Sequence, residues 1–363
     1  MKTLSRIREI GQSVWIDEIT RRILDDGTLA RYIALGVTGL TSNPTIFEKA
    51  IAGGDYDAAI RDLARAGKRG EELFTVLALD DLRRAADLFR PAYDATNGVD
   101  GWVSMEVSPL LARDSAGTIA SAARIHAEAQ RDNLFVKIPG TPEGLPAIEQ
   151  SIFDGIPINV TLLFSPEQTL AASEAYVRGI ERRVAAGRNP RVESVASLFV
   201  SRWDKAVAAK VPANLRNRLG ITIARSTHAA HGGLFESPRW RALEARGARL
   251  QRLLMASTGV KDPEASPTLY VESLVAPRTV DTMPVPTLEA LAKLETPVAP
   301  LQSNGGDVAE ELERFSALGI DLAAIALNLQ REGADAFVTS WNNLMGQIDA
   351  KSGALEGTEK RRA

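Results

Sequence analysis

The sequence predicts a single α/β domain folded as a (β/α)8 TIM barrel with additional helices. Three observations carry that expectation. Short apolar runs alternate with helical segments along the chain, eight of the runs have strand character, and no Pro/Ser-rich linker or short-period repeat divides the 363 residues. A chain of this length buries roughly three quarters of its unfolded surface, enough for one large core. The barrel is expected over residues 1–350, with residues 351–363 as a solvated tail.

In order, SVWIDEI (13–19) is the first strand and TRRILDDGTLARYIALG the helical stretch after it. GVTGLTSNPTIF (36–47) holds a short second strand that ends at Ser42-Asn43-Pro44. Residues 48–90 are helical with glycine breaks at Gly53-Gly54 and from Gly67 to Gly70, and PAYDATNGVDG is turn-rich. GWVSMEVSP (101–109) is the third strand; the helix that follows is entered through Ser115 as N-cap and leads to the fourth strand, NLFVKIPGT (133–141). PEGLPAIEQSIFDG is the next helix, and PINVTLLFS (157–165) and residues 192–200 are the fifth and sixth strands. Residues 203–247 read as helical with loops, RLLMAST (252–258) as the seventh strand and TLYVESLV (268–275) as the eighth. PTLEALAKL, DVAEELERFSALGI, DLAAIALNL and AFVTSWNNLMGQID supply C-terminal helices.

Composition narrows the function. Hydrophobic residues make up 45% and charged residues 25%, an ordinary globular balance. A net charge of -3 leaves no basic excess for a nucleic-acid backbone or an anionic membrane, so an anionic ligand needs a local cationic site. Cysteine is absent, which excludes disulfides and thiolate chemistry and agrees with a reducing cytoplasm. No apolar run reaches the length of a membrane span, and the first twenty residues lack a signal-peptide core.

The fourth strand holds the chemistry. Leu134, Phe135, Val136 and Ile138 have the side chains of a strand covered on both faces, and Lys137 interrupts them just before Pro139-Gly140. A lysine withdrawn from water loses hydration of its charged form, so its pKa falls and a nucleophilic amine becomes available, as Schiff-base chemistry requires. The plainer reading is a lysine whose ammonium snorkels to solvent. Asp17, Glu106, Asn159 and Thr161 sit at matching depths on other strands, where a barrel gathers its reactive groups. Burying such charges singly costs several kcal/mol each, so they are expected to share one polar cavity. The nearby negative charges of Asp17 and Glu106 oppose the lowering of the Lys137 pKa. Together they point to an imine-forming enzyme with carboxylates moving protons, needing no cofactor or metal. His126, His228 and His231 are too few for a zinc site, and the last two read as a helix-surface pair.

Several stretches together resemble the transaldolases, in their longer bacterial form, over nearly the whole chain: SVWID, TSNPTIF, GWVSMEVSP, NLFVKIPGTPEGLPAIE, INVTLLFS, SLFVSRWD and ASTGVKDP. The resemblance implies a (β/α)8 barrel and small sugar-phosphate substrates. It implies that Lys137 forms the Schiff base with the donor ketose and that Asp17 exchanges a proton with the C4 hydroxyl. Glu106 and Thr161 would hold the water that shuttles protons, and Asn43 and Asn159 would bind the dihydroxyacetone unit. Arg202, with Ser197 and Ser257 and with help from Lys261, would grip the phosphate. Without the resemblance, Arg202 reads as a surface ion-pair partner of Asp204 or a neighbour. Phe199 stands where the related fructose-6-phosphate aldolases have tyrosine, which favours transfer over release of free dihydroxyacetone. Asp281 replaces the asparagine usual in VNTMP and is expected to lie outside the chemistry. A cytoplasmic monomer or homodimer is expected. An aldolase and a non-catalytic sugar-phosphate-binding barrel remain as alternatives.

Overall fold

A computed structural model of the chain describes residues 2–359. Eight strands form its centre: β1 (Ser13–Ile16), β2 (Gly39–Leu40), β3 (Val103–Glu106), β4 (Leu134–Pro139), β5 (Ile158–Leu163), β6 (Ser194–Phe199), β7 (Arg252–Ala256) and β8 (Val280–Met283). They pair in parallel in the order β2-β1-β8-β7-β6-β5-β4-β3. The ring closes where Gly39 bridges Trp102 and the Leu40 N–H donates to the Trp102 carbonyl at 2.9 Å. Only glycine fits there, because a Cβ on Gly39 would lie 2.7 Å from that carbonyl and 2.6 Å from the Trp15 ring. The result is the (β/α)8 barrel the strand count predicts.

Strand alternation sorts the side chains. Val14, Ile16, Val103, Met105, Val136, Ile138, Ile158 and Val160 face outward and pack under the surrounding helices. Trp15, Phe135, Val195, Leu254 and Val280 face inward and fill the lower barrel, with Phe135 stacked on Trp102 at 4.0 Å between ring centroids. Truncating one of these aromatics to alanine would cost about 3–5 kcal/mol.

Five details differ from the sequence reading, the first being that the helix Gly70–Ala95 runs through Pro91 and takes in the first half of PAYDATNGVDG. TLYVESLV is not the eighth strand: it contains a one-turn helix, Leu269–Ser273, and the strand is the next segment, VDTM. Thr268 donates to Glu272 at 2.5 Å and Tyr270, Val271, Leu274 and Val275 are buried, so a helical face and local hydroxyl bonds override β-branched propensity. The helix after β3 is capped by Asp114, which accepts from the Gly117 N–H at 2.9 Å, while Ser115 is its first residue and donates to the Glu143 carbonyl at 2.5 Å. His231 is no surface residue, since it is buried against Phe235 with ring centroids 4.7 Å apart and burial pushes its pKa down to about 3. Finally, DLAAIALNL and AFVTSWNNLMGQID belong to one helix, Leu322–Glu359.

That helix crosses the C-terminal mouth of the barrel. Gly333 in its middle does not break it; a Cβ there would lie 2.9 Å from Leu162 Cδ2, so the glycine permits close approach to β5. Gln330 donates to the carbonyls of Gly140 (3.1 Å) and Leu162 (2.9 Å), and Leu162 has a left-handed φ of 58°. The helix continues through residue 350, with Lys351 ion-paired to Asp57 and Ser352 buried; residues 360–363 lie outside the described residues. No helix among the described residues is long and apolar enough to cross a membrane.

Candidate active site

Register places the reactive groups in one row. Glu106 pairs with Lys137 across β3 and β4, and Lys137 pairs with Asn159 across β4 and β5. All three side chains project into the barrel near its C-terminal end, where Lys137 is 4% exposed and Asn159 is fully buried. Lys137 Nζ lies 3.3 Å from Glu106 Oε2, donates to the Ser42 carbonyl at 3.2 Å and sits 5.9 Å from the centre of the Phe337 ring. It does not snorkel to solvent. The ion pair is not aligned as a hydrogen bond, and both Glu106 oxygens lack a hydrogen-bond partner, as does the buried Thr161 hydroxyl. Thr161 sits two residues beyond Asn159 on the same face of β5, opposite Pro139 in the register.

Asp17 follows β1 directly and its N–H is fixed by the Met283 carbonyl at 2.9 Å. Its Oδ1 accepts from Thr41 Oγ1 at 2.7 Å, and the same hydroxyl lies 2.8 Å from Thr282 Oγ1. Burial raises the Asp17 pKa, opposed by the charge of Lys137, the Thr41 hydrogen bond and Lys261. Glu106 is also raised, chiefly by burial, with Lys137 opposing and Asp17 reinforcing. Both carboxyls therefore hold a proton more readily than in water.

Asn159 is held from both sides, donating to Ser104 Oγ at 3.1 Å and accepting from Ser197 Oγ at 2.7 Å. This places Ser197, expected beside the phosphate, inside the barrel and committed to Asn159. Asn43 caps the helix Pro44–Ala52 by accepting from the Ile46 N–H at 3.0 Å, which leaves its amide nitrogen free. Phe199 ends β6 against Phe164 at 5.2 Å, in the apolar cluster that also contains Phe337.

Arg202 opens the next corner of the mouth, as the second residue of the helix Ser201–Val207. Ser201 and Ser257 hydroxyls lie 3.0 Å apart beside it, with Ser257 at a left-handed φ of 55°. Asp204 is not its partner. That carboxylate accepts from the Leu219 N–H at 2.9 Å, the Gly220 N–H at 3.2 Å and the Tyr270 hydroxyl at 2.9 Å, and burial raises its pKa to about 6. Arg202 has no ion-pair partner among the described residues. Lys261 stands in the same field: its pKa is lowered by burial and by the charges of Arg202, Lys205 and Lys49. Like charges crowd this rim although the chain as a whole is anionic, which is what an anion site requires.

Asp281 faces outward from β8, paired in register with Val14 and Met255. It is fully buried, bound only by Thr258 Oγ1 at 2.9 Å, and burial raises its pKa to about 7. It is apart from the row of reactive groups.

The sequence reading missed Thr41, Ser42, Ser104 and Phe337. Thr41 and Ser42 follow β2 directly, so their position at a strand's C-terminal end was the available signal. Phe337 carried no such mark, being one apolar residue in an amphipathic helix far along the chain.

Residues 14–348 match the family described as Transaldolase/Fructose-6-phosphate aldolase. The chain is 45% identical to a transaldolase of Thermobifida fusca over 356 residues, covering 95% of this chain and 97% of that protein. It is 42% identical to a transaldolase of Thiobacillus denitrificans (96% and 100% covered) and 41% identical to one of Mycolicibacterium smegmatis (98% and 98%). With such likeness along almost its whole length, this chain belongs to the transaldolase/fructose-6-phosphate aldolase family.

Proposed function

We propose that the chain is a transaldolase of the non-oxidative pentose phosphate pathway, moving a dihydroxyacetone unit from sedoheptulose 7-phosphate to glyceraldehyde 3-phosphate. The products are erythrose 4-phosphate and fructose 6-phosphate. The observation that carries the reading is the buried Lys137 amine, 3.3 Å from the Glu106 carboxylate, with Asp17 held across the same mouth by Thr41. Lys137 gives a proton to Glu106 and its lone pair attacks the ketone carbon of the donor. A water held by Glu106 and Thr161, whose buried oxygens lack protein partners, carries a proton to the carbinolamine hydroxyl, which departs as water and leaves the imine. Asp17 then takes the proton of the C4 hydroxyl, the C3–C4 bond breaks, and its electrons pass into the imine to give an enamine on Lys137. The enamine attacks the acceptor aldehyde, Asp17 returns its proton to the new alkoxide, and hydrolysis frees Lys137. Asn43 and Asn159 position the dihydroxyacetone unit. Arg202, Ser257 and Lys261 hold the phosphate, with Ser197 acting through Asn159. Phe199 offers no hydroxyl proton at the enamine, so the intermediate waits for an aldehyde. Residues 1–350 act as one catalytic unit, working in the cytoplasm as monomer or homodimer.

Borohydride trapping tests this. Protein incubated with fructose 6-phosphate and reduced is expected to carry a three-carbon adduct on Lys137, lost when erythrose 4-phosphate is added before reduction. Steady release of free dihydroxyacetone without acceptor would reassign the chain as an aldolase, and no adduct on folded protein would remove Lys137 from the mechanism.

A further inference from the structure

A second cavity, of about 490 Å³, opens at the other end of the barrel, at the N-terminal ends of the strands. Its volume lies in the range of small-ligand sites. The inward layer of Trp15, Phe135, Val195, Leu254 and Val280 separates it from Lys137. At about 3.3 Å of rise per residue, the two ends are on the order of 15 Å apart.

The cavity's ionic groups divide into satisfied and unsatisfied sets. Arg252 donates to Ser13 Oγ and to the Val99 carbonyl, both at 2.7 Å, and Asp100 is bonded by Ser13 and Trp15. Arg249 Nη1 and Glu193 Oε1 form an ion pair at 3.1 Å without an aligned hydrogen bond, and Glu244 is a further carboxylate of the lining. Arg8, from the helix Lys2–Ile10, and Arg278, two residues before β8, line the same cavity and have no carboxylate partner among the described residues. Arg278 is held at a left-handed φ of 60°, its N–H donating to the Gly11 carbonyl at 2.9 Å, a conformation that costs a residue with a side chain. Gln12, 2% exposed, also lines the cavity; its Nε2 donates to the Leu274 carbonyl at 2.9 Å and to Thr279 Oγ1 at 3.0 Å, while its Oε1 is buried with no donor.

We infer that this N-terminal mouth is a second binding site, for a small phosphorylated polyol. Two unpaired guanidinium groups suit a phosphate dianion, which accepts several charge-assisted hydrogen bonds at once. The orphaned Gln12 Oε1 needs a donor, which a hydroxyl of the same ligand supplies. No aromatic side chain lines the cavity, so a nucleotide base would find nothing to stack on. The site is independent of the transaldolase reading and would stand if that reading failed.

Calorimetric titration of the full chain with sorbitol 6-phosphate tests it, because that probe has no carbonyl and forms no imine. Two molecules are expected to bind per chain. Arg202→Gln is expected to remove one of them, and the double variant Arg8→Gln/Arg278→Gln to weaken the other at least tenfold with kcat unchanged. Both rim arginines are exposed, and should the double variant fail to fold, hydrogen exchange on the wild type gives the same answer: the probe is expected to slow exchange at residues 8–13 and 276–280. A single bound molecule indifferent to the rim variants, or no change in exchange there, overturns the proposal. Inorganic phosphate binding the rim as tightly as the probe overturns the polyol assignment.

Discussion

At the lower end of the barrel Asp100 accepts from Ser13 Oγ at 2.6 Å and Trp15 Nε1 at 2.8 Å, and Arg252 completes the set through Ser13. At the upper end Glu106 faces Lys137 at 3.3 Å but neither of its oxygens accepts an aligned hydrogen bond. The same barrel thus buries two ionic clusters and treats them differently. The Asp100 network spends its acceptors on the fold, while Glu106 keeps capacity for a proton, a water or a substrate. Buried polar groups are normally satisfied, and both ends fall short, at Glu106 and Thr161 above and at Gln12, Glu193 and Arg249 below; what sets the upper cluster apart is a buried lysine amine beside a carboxylate with neither oxygen bonded.

Substitutions can break that contrast. The largest effect is expected for Lys137→Met, which should lower kcat about 10⁴-fold or more and abolish the borohydride adduct while leaving the thermal midpoint near wild type. Glu106→Gln should lower kcat by about 10²–10⁴-fold, because the amide cannot cycle a proton, and steady-state kinetics with an unchanged circular dichroism spectrum would show it. Asp100→Ala inverts the pattern: breaking the lower network should cost about 3–5 kcal/mol in chemical denaturation, with turnover per folded molecule unaltered. Loss of turnover without loss of stability would instead couple the two ends.

Asp281 supplies the smallest and most pH-dependent effect. Its folded pKa of about 7 lies above the ordinary aspartate value, so the folded state holds a proton that the unfolded chain releases. That contribution is fully present below the unfolded pKa, near 4, and is lost as pH rises through about 7. Asp281→Asn keeps the oxygen that accepts from Thr258 and removes the charge. It should stabilise the protein by about 2–4 kcal/mol at pH 8 and much less at pH 5, as denaturation at the two pH values would register.

The barrel was legible because parallel strands covered on both faces are near-continuous apolar runs, and Lys137, Glu106 and Asn159 stand out in such runs. The eighth strand was hidden because VDTM offers four residues and a buried acid, whereas TLYVESLV nearby looks more strand-like than it is. Site residues at strand ends were readable as positions but not as partnerships. Nothing in the order of residues tells that the Ser197 hydroxyl is committed to Asn159, or that Asp204 serves the Leu219 N–H instead of Arg202. Those are contacts between segments distant in sequence, decided by register and helix placement. Phe337 was beyond reach for the same reason.

Phe337 and Gln330 lie on a helix that translation completes only after all eight strands. In a nascent chain Lys137 therefore faces an open mouth until that helix is made and docks over β5. Competence for chemistry would then arrive as a late step of biosynthesis, together with the last part of the core, to which the same helix contributes Trp341, Leu344 and Ile348.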